Sequence, residues 1–131
     1  MRAIYGYLLV FLGAGLGGML RHAANLAASR MLGPDLPVST LLVNVLGSLS
    51  IGALAGYVAL RGHGSQGVQL FLATGVLGGF TTFSAFSLEA ALLWERGQVL
   101  SCIGFVLASV LLSIAAVFAG LALARSWPAP G

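Results

Sequence analysis

Asn44 is a strongly polar residue set deep in an apolar run, Thr40-Leu41-Leu42-Val43-Asn44-Val45-Leu46-Gly47-Ser48. Thr40, Asn44 and Ser48 follow at four-residue intervals, and Gly52 and Gly56 extend the row. Positions four apart share a helix face, so this is a narrow stripe of small and polar groups on an otherwise apolar helix. A carboxamide in hydrocarbon costs free energy without hydrogen-bond partners. Two chemistries suit the stripe. Asn44 either bonds a neighbouring helix as interhelical glue, or turns its N–H donors toward a polar pathway.

A second constellation lies in Gly75-Val76-Leu77-Gly78-Gly79-Phe80-Thr81-Thr82-Phe83-Ser84-Ala85-Phe86-Ser87-Leu88-Glu89. Gly78-Gly79 followed by β-branched and hydroxyl residues is poor helix material. The expectation is a break near residues 78–82, in the middle of an apolar span. Backbone freed at membrane depth is tolerated only inside protein or beside a wet cavity, and carbonyls released this way commonly bind a cation. The alternative is an intact helix packed through its glycines. Phe83 and Phe86, three apart, share a face if helical. The edge of a phenyl ring is electropositive, so a small anion that has shed water can lie against it. Taken alone, the two rings are better explained by packing or lipid contact.

Ser109 and Ser113, four apart, either line a polar track or bond back to their own helix carbonyls. Glu89 is an acidic residue inside an apolar run, a functional candidate by default in a membrane; little more than one turn from Trp94, it also suits an interfacial position. Arg21 either snorkels to the interface or pairs with a carboxylate. No Ser/His/Asp or Cys/His set, no pair of carboxylates at depth and no phosphate loop is present, so no enzyme is expected. Gly13-Ala14-Gly15-Leu16-Gly17-Gly18 faintly resembles a dinucleotide fingerprint, but no strand precedes it. His22 and His63 have no second ligand at metal-like spacing. Cys102, the single cysteine, reads as a small buried thiol.

The elements that must carry these residues are membrane helices. Hydrophobic residues make up 59% of the 131-residue chain and charged residues 7%. A soluble domain carries about 25% charged residues, so lipid must be the solvent here. About 20 apolar residues cross the hydrocarbon layer, and four stretches qualify: residues 4–32 (apolar to Leu20 and continuing past Arg21), 38–60, 68–94 and 99–124. The expectation is one all-α transmembrane domain of four helices, the third broken. Turn and charge signals fill the connections Gly33-Pro34-Asp35-Leu36-Pro37, Arg61-Gly62-His63-Gly64-Ser65 and Glu95-Arg96-Gly97. Tyr5, Tyr7, Trp94 and Trp127 fall near segment ends, as interfacial aromatics do. Residues 126–131 read as a frayed tail. The first segment is too long and glycine-rich for a signal peptide and is taken as a retained helix. Gly13/Gly17, Gly52/Gly56 and Gly75/Gly79 have the spacing that lets helix backbones approach closely in lipid.

The net charge of +3 comes with six arginines spread singly between apolar runs, unlike the clustered footprint of a nucleic-acid binder. After four crossings, Arg2, Arg61 and Arg125 lie on the terminal side and Arg21, Arg30 and Arg96 on the other. That balance leaves the positive-inside rule no bias to act on. A chain that inserts both ways can pair with its own inverted copy, forming from two chains the inverted repeat that many transporters encode in one. Charge alone leaves open whether another signal orients it.

Three stretches together resemble the Fluc (CrcB) family: Gly17-Gly18-Met19-Leu20-Arg21, the Thr40 to Ser48 run, and the Gly75 to Ser87 run, the last being the most specific. The resemblance covers nearly the whole chain. It implies an antiparallel, dual-topology homodimer of four-helix subunits in a microbial cell membrane, exporting fluoride passively and protecting the cell from it. By motif position it implies Phe83 and Phe86 as ring edges contacting fluoride, Asn44 as the pathway amide, and Ser109, Ser113 and Thr82 as hydroxyls along the path. It also implies a structural Na⁺ at the dimer centre, held by the backbone carbonyls of Gly78 and Thr81. Arg21 would lie at a vestibule; Thr40 and Glu89 carry no fixed role. Ala85 departs from the Thr that the family often has there. Two other classes fit parts of the chain: a small dual-topology multidrug/proton antiporter, which needs a deep carboxylate, usually in the first helix, and a purely structural membrane subunit.

Overall fold

The computed structural model describes residues 2–33, 37–62 and 64–128. Residues 34–36 of the first connection, His63 of the second and residues 129–131 of the tail lie outside the described residues. The chain forms α1 (Arg2–Leu32), α2 (Val38–Arg61), α3 (Gln66–Gln69), a π-helical stretch (Leu70–Leu77), α4 (Gly78–Phe80), α5 (Phe83–Glu95) and α6 (Val99–Ser126). Four helical spans, Arg2–Leu32, Val38–Arg61, Gln66–Glu95 and Val99–Ser126, are long and apolar enough to cross a membrane. Gly62 ends α2 in the left-handed region, with its N–H donating to the Val58 carbonyl, and Ser65 caps α3 by accepting from Val68 N–H.

The core is small and the outside is apolar. Val43, Leu93, Cys102, Phe105 and Ala116 are buried, while Tyr7, Phe11, Met19, Leu100 and Phe118 are largely exposed. Lipid offers no hydrophobic drive to bring helices together, so they associate through close packing of small residues. α2 packs chiefly on α6, and α1 on the π-helical stretch and α4. At the first contact, a Cβ added to Gly120 would meet Ala53 N at 2.6 Å. At the second, a Cβ on Gly13 would lie 2.9 Å from Gly75 Cα, and one on Gly75 2.9 Å from Gly13 Cα. Both glycines are needed for the backbones to touch. Every member of the three glycine pairs singled out by spacing lies at one of these two contacts.

Gly78 and Gly79 are helical, which places the irregular backbone two residues later than their low helix propensity suggests. Gly79 serves packing instead: a side chain there would meet Ala14 O at 2.5 Å. The extended residues are Thr81 (φ −83°, ψ 157°) and Thr82 (φ −152°, ψ 115°), which separate α4 from α5. Thr81 Oγ1 donates back to the Leu77 carbonyl at 2.9 Å, and Thr82 accepts from Ala85 N–H at 3.1 Å as the N-cap of α5. Hydroxyls that compete for backbone groups, combined with β-branching, favour ending one helix and starting another here. Cys102 is buried, with its thiol directed to the Ala90 carbonyl.

Candidate functional site

The Thr81–Thr82 link is held from α2. Asn44 Nδ2 donates to the Thr82 carbonyl at 3.0 Å, and Thr82 N–H donates to Asn44 Oδ1 at 2.8 Å. The amide thus satisfies both backbone groups of an extended residue that has no sheet partner. A carboxamide nitrogen carries two hydrogens, so one Asn44 N–H remains after this exchange. Asn44 is therefore glue between two elements, with one donor in reserve.

This arrangement has a consequence for the carbonyls on either side. In an α-helix a carbonyl accepts from the N–H four residues on. For Gly78 that donor is Thr82 N–H, which bonds Asn44. Thr81 is extended and lies outside both helices, and the Ala85 N–H four residues on bonds the Thr82 hydroxyl. Neither carbonyl has a helical N–H partner. The carbonyl end of α4 and the N–H end of α5 meet at this link, and their partial charges are negative and positive respectively.

Beside the link lies a groove of about 460 Å³, with Asn44, Gly78, Thr81, Thr82, Phe83, Phe86, Ser109 and Ser113 among its lining residues. The tertiary fold gathers all the side chains assigned to an ion path into one concavity, together with Ser48. Phe83 and Phe86 lie with ring centroids 5.4 Å apart. Their surroundings differ: Phe83 is 78% exposed, whereas Phe86 is anchored on Phe105 at 5.3 Å and packs on the buried cluster of Leu93, Cys102 and Phe105. Ser109 is 6% exposed, and its hydroxyl has no hydrogen-bond partner. A buried hydroxyl of this kind is normally paired.

A second concavity, of about 420 Å³, lies on the other side of Thr82 and includes Arg21, Thr40 and Glu89 in its lining. Thr40 Oγ1 donates to Glu89 Oε1 at 2.9 Å, while Glu89 Oε2 is buried without a partner. Glu89 therefore sits on α5 facing α2 at a polar recess. Thr82, 7% exposed, lines both concavities. Sequence reasoning missed four polar contributors to the recess: His22, Asn25, Ser29 and Ser39, with Ser39 donating to Asn25 across α1 and α2. It also missed Phe105, which lies four residues before Ser109 and hence on the same face of α6; that spacing was a usable signal.

The chain's known relatives agree with one another. The family described as CrcB-like protein, Camphor Resistance (CrcB), matches residues 8–121. A Rhodopseudomonas palustris (strain BisB5) protein named fluoride-specific ion channel FluC is 60% identical over 120 residues, 92% of this chain and 97% of the relative. A Nitrobacter hamburgensis protein named fluoride-specific ion channel FluC 2 is 52% identical, over 91% of this chain and 96% of its own length. A Mesorhizobium japonicum protein named fluoride-specific ion channel FluC is 50% identical, over 95% of this chain and 100% of its own length.

Proposed function

The chain belongs to the CrcB-like family, and from that premise we propose that it is a fluoride-selective channel that passively exports fluoride across a microbial cell membrane and lowers fluoride inside the cell. The observation that carries the reading is the buried, unpartnered Ser109 hydroxyl in the same groove as the free Asn44 N–H and two phenyl rings. An anion must exchange its water for donors to enter a narrow apolar path. The groove supplies an amide N–H from Asn44, hydroxyls from Ser109, Ser113 and Thr82, and ring-edge C–H groups from Phe83 and Phe86. The N-terminal end of α5 adds a partial positive charge beside them. Arg21 draws anions into the recess beyond Thr82, where Thr40 donates to one oxygen of Glu89. Thr82 is then the step between recess and groove.

The path is incomplete in one chain. Phe83 is exposed at the open groove, and a second copy closing over it would enclose the ion. An antiparallel, dual-topology homodimer is an assembly that the balanced arginines permit. Na⁺ at its centre fits the chemistry of the link: a hard cation takes oxygen ligands, and the Gly78 and Thr81 carbonyls have no helical donors. Bound there, Na⁺ would supply a fixed positive charge and tie the two links together. A multidrug/proton antiporter would need a deep carboxylate, and α1 contains no acidic residue.

The test is efflux from liposomes containing the purified protein, with fluoride and chloride compared. Fluoride efflux well above that of empty liposomes, with chloride retained, is expected. Fluoride efflux equal to that of empty liposomes overturns the assignment.

A further inference from the structure

The largest concavity described, about 990 Å³, shares no lining residue with the ion groove. It lies between the first turns of α1 and the start of the third span, at the end where both helices begin. Arg2, Tyr5 and Gln66 line it together with Leu9, Val10 and Leu70. Among the described residues, Arg2 is the charged group of this lining, with no carboxylate opposite.

The groove exists because the two helices splay. Deeper in the membrane, Gly13 and Gly75 bring backbone against backbone. At the splayed end, Gly6 and Gly67 do not: a Cβ on Gly6 would meet only the end of the Leu70 side chain at 3.4 Å, and one on Gly67 the ends of Leu9 at 3.3 Å and Tyr5 at 3.8 Å. Small residues here leave space without drawing the helices together. From Arg2 to Val10 the groove runs about 12 Å along α1, at 1.5 Å per residue. That is close to one leaflet's share of a hydrocarbon layer about 30 Å thick.

We propose that this groove is a binding site for one anionic phospholipid, with its phosphate at Arg2, Tyr5 and Gln66 and an acyl chain along Leu9, Val10 and Leu70. A cationic mouth flanked by tyrosine matches the headgroup level, where interfacial aromatics and basic side chains anchor helices. The apolar floor excludes free phosphate as the occupant, because an inorganic anion would leave it unfilled. An anionic headgroup would neutralise Arg2, which no carboxylate among the described lining residues does. The site stands independently of which ion the channel passes.

Native mass spectrometry of the detergent-solubilised full chain, titrated with phosphatidylglycerol or phosphatidylcholine, tests the proposal. One phosphatidylglycerol per chain should bind about fivefold more tightly than phosphatidylcholine, the factor that roughly 1 kcal/mol for one basic residue at an anionic surface supplies. Arg2→Gln should remove that preference. Gly6→Leu, which puts a side chain into the groove, should weaken both lipids and leave the circular-dichroism spectrum and fluoride efflux unchanged. Equal binding of the two lipids by the parent chain, or a preference that survives Arg2→Gln, overturns the proposal.

Discussion

Asn44 and Thr82 exchange two hydrogen bonds in opposite directions, the side-chain amide of α2 acting as the missing peptide partner of an extended residue between two helices. The exchange ties the shape of the third span to one side chain. It also diverts Thr82 N–H from the Gly78 carbonyl, so the same pair that fixes the link releases an oxygen beside it.

Asn44→Ala strands the Thr82 N–H and carbonyl. A buried polar group left unpaired costs about 1–3 kcal/mol. The variant should unfold in detergent at a clearly lower temperature and lose fluoride efflux. An unchanged unfolding temperature would mean that the exchange holds nothing.

Ser109→Ala gives the opposite sign for stability. The hydroxyl is buried without a partner, so its removal breaks no protein hydrogen bond and relieves a desolvation cost. Unfolding should be unchanged or slightly delayed while fluoride efflux falls. Efflux at the parental rate would show that the hydroxyl faces no ion.

Phe83→Ile and Phe86→Ile should both sharply reduce fluoride efflux, because an aliphatic side chain has no electropositive edge. They should separate in stability. Phe86 packs against Phe105 with the rings tilted, and losing an aromatic pair costs about 0.5–1.5 kcal/mol; Phe83 is largely exposed in the single chain. Thermal unfolding of the two variants at a protein concentration low enough to favour monomers makes the comparison. Equal losses of stability would contradict the assignment of Phe86 alone to the core.

Gly13→Ala and Gly15→Ala differ by two positions on α1 and should differ in sign. A methyl at residue 13 would meet Phe71 O at 2.5 Å, whereas one at residue 15 meets nothing within 4 Å. Overpacking costs typically about 1–3 kcal/mol. Replacing an unconstrained helical glycine by alanine gains roughly 0.5–1 kcal/mol. Unfolding temperatures falling for Gly13→Ala and rising for Gly15→Ala are expected; a fall of equal size in both would mean that glycine serves α1 in some way other than close approach.

Composition and apolar run length by themselves determined four membrane-crossing helices, because a chain with 7% charged residues has no stable arrangement in water. Spacing determined which side chains share a face, and so put Asn44 in line with Thr40 and Ser109 in line with Ser113. The glycine pairs announced close packing without naming partners. Only the tertiary structure decided that α2 meets α6 while α1 meets the third span, since small-residue spacing is alike on all of them. It also decided the job of the third-span glycines. Helix propensity made Gly78-Gly79 the weak point, yet both are helical, with Gly79 packed on Ala14 of α1, and the extended backbone falls to Thr81 and Thr82, where hydroxyls and the Asn44 amide take over the bonds that the helix gives up. Asn44 had two readings in sequence because an amide has more bonds to give than sequence can allocate; position in space allocated two of them to Thr82 and left one N–H over.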